Sequence, residues 1–118
     1  MTQTLVESGS GRVLARRIVR AAGPLQRTIG LLPRRRLDAD EGMWFDRCNA
    51  VHTLGMRVPI DVVFLDERGV VVRVDACVRP WRYAIAAHAA STVLELAAGS
   101  CARLGIVAGM NLQLIGLS

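Results

Sequence analysis

The sequence contains no apolar run that approaches the roughly 18 consecutive residues needed for a membrane-spanning helix. Residues 1–9 also lack the basic region followed by an apolar stretch that marks a secretory leader. We therefore expect no membrane interaction and predict a cytoplasmic location.

Cysteine is scarce, and its spacing matches no known motif. Cys48, Cys77 and Cys101 form no Cys-x-x-Cys pair, so the sequence indicates neither a disulfide framework nor a zinc knuckle, and we expect reduced thiols. The two histidines add no recognised spacing of metal ligands. The sequence therefore predicts no metal and no cofactor.

Lysine is absent, because all fifteen basic residues are arginine. Residues 1–36 hold eight arginines against one acid, a net charge of +7, whereas residues 37–118 hold seven arginines against nine acids, a net charge of −2. Arg34–Arg36 together with Arg16, Arg17 and Arg20 give an alternative function, a nucleic-acid-binding module. Only two Trp, one Tyr and two Phe are present, which disfavours recognition of single strands by base stacking.

The length and the hydropathy pattern predict one mainly β domain. A chain of 118 residues with 52% hydrophobic content fits a single globular unit. We expect a flexible N-terminal segment at residues 1–11 and a single β-rich domain at residues 12–118. Residues 12–21 fit either a helix or a strand. The other predicted elements are strands at 42–45, 50–54, 60–65, 70–78, 92–96 and 111–115, and short helices at 24–32 and 100–104, the second with Ser100 as its N-cap. The predicted fold is a small antiparallel β-sandwich or barrel (α+β) with one or two short peripheral helices.

The most strand-like segment carries a carboxylate among apolar residues. Ile60, Val62 and Phe64 are expected on one face of a strand, and Asp61, Val63 and Leu65 on the other. The turn at residues 66–69 makes this strand the first half of a β-hairpin. Because an isolated buried carboxylate costs several kcal/mol or more, Asp61 must have a hydrogen-bond or charge partner. Trp81 and Tyr83 are expected to cover one end of the core.

The order of several motifs is similar to that of an uncharacterised prokaryotic family, domain of unknown function 192. The motifs are Cys48-Asn-x-x-His-Thr-x-Gly-Met56, the segment Pro59–Asp66, and Val93-Leu-Glu-Leu followed by Gly99. Many members have Trp-Met-x-Asn-Thr where this chain has residues 52–56. This chain resembles another subgroup, which has Cys-Asn-x-x-His-Thr. The resemblance implies a β-rich, sandwich-like fold in which residues 12–19 are extended. It implies no activity and no catalytic residue.

Three interpretations fit the candidate polar site, which comprises Cys48, His52, Thr53, Arg57, Asp61 and Arg82. In the first, Thr53, His52 and Asp61 form a polar knot that fixes a loop against the hairpin, with Arg57 as a charge partner. In the second, the loops form a ligand-binding or interaction module for a small polar or anionic ligand or a protein partner, because arginine suits carboxylates and phosphates.

The third interpretation is a thiol-dependent enzyme that uses Cys48 and His52, with Asp61 orienting the imidazole. An extended backbone would separate Cys48 from His52 by about 13 Å, which argues against direct contact unless the chain turns between them. Enzymatic activity therefore stays open, and the favoured prediction is a binding module that is a monomer or a weak homodimer.

Overall fold

A computed structural model describes residues 2–21, 37–51, 53, 56–82 and 85–116 of the chain. Within these residues the fold is mainly β, as predicted, with nine strands and one helix. The elements are β1 (Gln3–Glu7), β2 (Val13–Arg20), β3 (Glu41–Asp46), β4 (Ala50–Val51), β5 (Ile60–Leu65), β6 (Val71–Val78), β7 (Ile85–Ala86), β8 (Thr92–Ala97), α1 (Ser100–Leu104) and β9 (Leu112–Ile115).

Seven of these strands form one sheet in the order β6-β5-β8-β3-β2-β1-β9. The predicted hairpin is confirmed, because β5 and β6 pair in antiparallel fashion. β2 is a strand, as the family resemblance implied. A wholly antiparallel sheet was expected, but the sheet is mixed, because β2 and β3 run parallel. β4 and β7 form a separate two-stranded ribbon.

The N-terminal segment contributes a strand to this sheet. β1 pairs with β2 on one side and with β9 on the other. Residues 3–7 therefore form a strand, where a flexible segment was expected. Its side chains explain its place in the fold, since Leu5 and Val6 are both buried.

The residues just before the two outer strands of the sheet meet, which gives the sheet a barrel-like arrangement. An antiparallel bridge joins Val70, just before β6, to Asn111, just before β9. Beside it, the Leu112 N–H donates to the Gly69 carbonyl oxygen at 2.8 Å. Gly69 has a φ of 84°, and a Cβ atom there would lie 2.5 Å from the Leu112 carbonyl oxygen. This close approach of two backbones requires glycine.

The central strands are covered on both faces. The inner cluster fills the barrel with residues from all seven strands of the sheet and from α1, and it includes Leu5, Ile18, Trp44, Val63, Leu65, Leu94, Leu96, Cys101 and Leu112. The outer cluster packs the opposite face of the central strands against loop residues, and it includes Met43, Phe45, Met56, Ile60, Val62, Phe64, Ala90 and Val93. The predicted alternation along β5 is confirmed. Every residue of β5 is buried, because both faces are covered.

The short helix α1 follows β8 and contributes Cys101 to the inner cluster. Its N-cap is Gly99, and no side chain caps it, so the prediction of Ser100 as N-cap is wrong. Gly105 ends the helix, as expected. The helix predicted at 24–32 lies outside the described residues. No helix in the described part of the chain is long and apolar enough to cross a membrane.

Candidate functional site

Thr53 joins two loops that are distant in the sequence. Its hydroxyl group donates to the Arg79 carbonyl oxygen at 2.8 Å and accepts from the Arg82 N–H at 2.7 Å. The Thr53 N–H donates to the Arg82 carbonyl oxygen, and the Trp81 N–H donates to the Thr53 carbonyl oxygen, both at 2.8 Å. Because Thr53 is fully buried, these bonds are shielded from competing water. The loop before β5 is thereby fixed to the loop after β6.

Arg79, Trp81 and Arg82 are exposed residues of the loop after β6, and Arg57 is an exposed residue of the loop before β5, which Thr53 joins to it. We define the Trp81 surface as Arg57, Arg79, Trp81 and Arg82. The three arginines are exposed, and their guanidinium groups form no ion pair or hydrogen bond with the described residues. Trp81 is 70% exposed, so the expectation that it covers the core is wrong. Its φ of 65° is a left-handed conformation that a bulky residue rarely adopts.

Asp61 is buried, as predicted, but its partners are backbone amides. Its Oδ1 accepts hydrogen bonds from the N–H groups of Cys77 at 2.8 Å and Gly99 at 3.1 Å. Its Oδ2 accepts from the N–H group of Cys101 at 2.8 Å, in the first turn of α1. The expected knot with Thr53 and Arg57 is therefore wrong. The carboxylate instead ties β5 to β6 and α1 at one end of the barrel.

The residues of the proposed thiol triad do not all come together. Cys48 packs against the outer cluster, and its thiol donates to the Ala50 carbonyl oxygen at 3.1 Å. Asp61 lies on the inner face of β5, so the sheet separates these two side chains. His52 lies outside the described residues. The triad prediction that Asp61 orients an imidazole beside Cys48 is thus not supported by the position of Asp61.

The other two thiols, those of Cys101 and Cys77, differ in their surroundings. Burial and the neighbouring Asp61 carboxylate raise the pKa of the Cys101 thiol to about 12, so this thiol stays protonated near neutral pH. Cys77 is exposed and lies at a backbone position with a φ of 52°. All three cysteines are free. Among the residues that the structure describes, no group of three His, Cys, Asp or Glu side chains could hold a metal ion.

Glu95 is a second buried acid and was not among the predicted site residues. It is 5% exposed and lies on β8 opposite Met43 of β3 and Val62 of β5. Within the described chain its carboxylate forms no hydrogen bond or ion pair. Burial raises the pKa of Glu95 to about 7. The strand pattern gives no signal of its burial, because a glutamate between Leu94 and Leu96 fits an alternating strand with that side chain in solvent.

The basic cluster of the nucleic-acid hypothesis is partly neutralised. Arg17 pairs with Asp38 at 3.1 Å, and Arg20 pairs with Asp46 at 2.7 Å. Burial alone would raise the pKa of Asp46, but hydrogen bonds from Arg20 and Trp44 outweigh it and hold that pKa below its ordinary value. The remaining members, Arg34–Arg36, lie outside the described residues.

Comparisons with known proteins found a matching family model and similar crystal structures. The family model DUF192, described as Uncharacterized ACR, matches residues 5–114. A crystal structure from Sinorhizobium meliloti 1021, described as a "putative transcription regulator", is similar with 30% sequence identity and a TM-score of 0.81, over 98% of this chain and 93% of that chain. A protein of unknown function from Novosphingobium aromaticivorans DSM 12444 is similar with 28% identity and a TM-score of 0.81, over 94% and 83%. No curated protein matches the chain.

Proposed function

This chain belongs to the uncharacterised family DUF192, and we propose that it is a binding module whose Trp81 surface takes a small anionic ligand with a planar ring, such as a mononucleotide. The ring would stack on the indole, and the anionic group would bind the guanidinium groups beside it. We also place the chain in the Cys-Asn-x-x-His-Thr subgroup and in the cytoplasm, where its three cysteines would stay reduced.

The observation that carries this proposal is the conformation of Trp81. The indole is 70% exposed although tryptophan buries more apolar area than other residues, and its backbone is held in an unfavourable region of φ. Both features cost stability. The backbone at this position is held by the hydrogen bond from the Trp81 N–H to the Thr53 carbonyl oxygen. Strain of this kind concentrates at binding sites.

The charge around Trp81 indicates the class of ligand. Arg57, Arg79 and Arg82 place three cations on the surface, with no described acid paired to them. Guanidinium groups form paired hydrogen bonds with carboxylate and phosphate oxygens, which selects an anion over a neutral ligand. We propose His52, which precedes Thr53 in the sequence, and Cys48 as further members of the site. Asp61 would not bind the ligand, because both of its carboxylate oxygens accept hydrogen bonds from backbone amides.

The proposal can be tested by titrating the protein with AMP, adenosine and inorganic phosphate and measuring affinity by calorimetry. We expect AMP to bind more tightly than either fragment. Trp81→Ala should weaken AMP binding about tenfold or more, the loss typical of an aromatic anchor. Arg82→Ala should weaken AMP and phosphate binding alike.

The matched control for Arg82→Ala is Arg68→Ala, which removes an equally exposed arginine at the opposite end of the β5–β6 hairpin. This control should bind AMP as the parent does. Equal losses in the two variants would show a general charge effect and contradict a specific site. Absence of AMP and phosphate binding at millimolar concentration would contradict the proposed ligand class.

Nucleic acid is the second candidate, because the Sinorhizobium meliloti relative carries the description "putative transcription regulator" and this chain has a formal net charge of +5. Binding through the Arg16, Arg17 and Arg20 cluster would depend steeply on salt and would not require Trp81. Oligonucleotide binding that survives Trp81→Ala, with no binding of AMP, would favour this candidate. A thiol-dependent enzyme remains the third candidate and predicts rapid alkylation of Cys48 near neutral pH.

A further inference from the structure

Glu95 is deeply buried and has no hydrogen-bond or charge partner among the residues that the structure describes. It lies in the middle of β8, which is hydrogen-bonded to β3 on one side and to β5 on the other. Because Leu94 and Leu96 belong to the inner cluster, the alternation along the strand places Glu95 on the outer face. It is 5% exposed, and its carboxylate contacts no described donor.

The surroundings of Glu95 are apolar. Its cross-strand neighbours Met43 and Val62 are buried and belong to the outer cluster. The described cover of this face consists of loop residues such as Met56 and Ala90. Loops open at a lower free-energy cost than the strands of a sheet. The small residual exposure of Glu95 is consistent with an approach from this side.

Such a carboxyl group has a measurable cost to the fold. Burial disfavours its ionised form and raises its pKa to about 7, so both protonation states are populated at neutral pH. No side-chain N or O atom of the described residues is both fully buried and without a hydrogen-bond partner, so the unpaired Glu95 carboxylate keeps a small contact with solvent. A carboxylate that lacks a protein donor can accept hydrogen bonds from a bound molecule, and the apolar walls would strengthen that interaction.

We propose that Glu95 is the recognition residue of a second binding site, on the outer face of the sheet, for a small organic cation that joins an apolar body to N–H donors, such as an amidine or a guanidine. The apolar part would pack against Met43, Val62 and the loop residues above them, and the donors would bind the carboxylate oxygens. This inference goes beyond the Trp81 surface, whose guanidinium groups would repel a cation.

The test uses benzamidine as the probe and benzyl alcohol as its uncharged counterpart. At about pH 8, where the carboxylate form dominates, calorimetry should show one benzamidine bound per chain. At about pH 6 binding should release a proton, which is detected by repeating the titration in buffers of different ionisation enthalpy. Benzyl alcohol should bind much more weakly at both values of pH. A purely structural role of Glu95 would give no proton release.

Glu95→Gln should weaken benzamidine binding about thirtyfold or more, because it neutralises one partner of a buried charge pair. The matched control is Glu67→Gln, which neutralises an exposed acid in the β5–β6 turn and should leave binding unchanged. Trp81→Ala should also leave benzamidine binding unchanged, so failure of the Glu95 site and failure of the Trp81 site are distinguishable. Equal binding to the parent and Glu95→Gln would overturn the inference.

A second measurement needs no variant. Dicyclohexylcarbodiimide is an apolar reagent that adds to a protonated carboxyl group without a leaving group. At about pH 7 it should label Glu95 in preference to the other acids, as read by peptide mass spectrometry, because an ordinary glutamate is ionised at that pH. Benzamidine should protect Glu95 from the reagent. Labelling of Glu95 that benzamidine does not reduce would contradict the site.

Discussion

Two buried carboxylates on adjacent strands show how differently a β-sheet can hold an acid. Asp61 of β5 lies opposite Leu96 of β8, and Glu95 of β8 lies opposite the next residue of β5, Val62. Asp61 faces the inside of the barrel and receives three backbone hydrogen bonds. Glu95 faces the outside and receives none from the described residues. Burial is nearly the same for the two, so the difference lies in the donors.

The comparison separates a structural acid from a candidate functional one. The donors to Asp61 are N–H groups at irregular backbone positions, since Cys77 lies at a β-bulge and Gly99 and Cys101 lie at the start of α1. These groups have no partner within a regular strand or helix, so the carboxylate completes the fold. Regular pairing on both sides of β8 leaves no backbone N–H free for Glu95. A donor for Glu95 must come from elsewhere.

The largest expected effect in this comparison is the loss of Asp61. Asp61→Ala should lower the free energy of unfolding by about 3 kcal/mol or more, because it leaves three N–H groups without their acceptor in a buried site. Chemical denaturation followed by circular dichroism measures this change. The control is Asp66→Ala, which removes an acceptor for Arg68 and Val70 in a partly exposed turn and should cost less. A loss for Asp61→Ala no larger than that of the control would contradict the structural role.

The second effect concerns Glu95. Its ionised carboxylate lowers the free energy of unfolding, whereas the Asp61 carboxylate raises it. Above about pH 4.5 the unfolded state releases the proton of Glu95, whereas the folded state keeps it until about pH 7. The unfolded state therefore binds fewer protons in this interval, so the free energy of unfolding falls as the pH rises and levels off above about pH 7. The total fall attributable to Glu95 is about 3 kcal/mol.

Denaturation of the parent and of Glu95→Gln at several values of pH from about 4 to 8 measures this effect. The variant should lack the component of the fall that is due to Glu95, so its stability relative to the parent should increase over that range. Glu67→Gln, which removes an exposed acid in the β5–β6 turn, provides the control. Parallel stability curves for the parent and Glu95→Gln would contradict a raised pKa at Glu95.

Sequence reasoning identified Asp61 but not Glu95, and the reason is physical. In β5 apolar residues fill both faces, so a carboxylate there is an evident anomaly. In β8 the order Thr-Val-Leu-Glu-Leu fits an alternating strand with its glutamate in solvent. The outer face of β8 is buried only because loop residues such as Met56 and Ala90 fold over it. No pattern within the strand contains that information.

The same distinction applies to the rest of the fold. The β5–β6 hairpin was predictable because its strands are neighbours in the sequence and alternate regularly. β1 was not predicted, because one of its two partners, β9, lies at the other end of the chain. The parallel pairing of β2 and β3 was not predicted either. The connection through Thr53 was also missed, since its partners Arg79 and Arg82 are distant in the sequence. Local patterns predicted most of the strands, whereas long-range contacts determine the site.

The smallest expected effect tests which side chain accepts the hydrogen bonds of the N–H groups at the N-terminus of α1. Ser100 is buried, but its hydroxyl group does not cap the helix, whereas Asp61 accepts the N–H of Cys101 in the first turn. Ser100→Ala should therefore change the free energy of unfolding by less than about 0.5 kcal/mol, in contrast to the roughly 1 kcal/mol typical of losing an N-cap side chain. Chemical denaturation at neutral pH measures the difference. A loss of about 1 kcal/mol or more would assign the helix terminus to Ser100 and reduce the structural role of Asp61 to its bonds with Cys77 and Gly99.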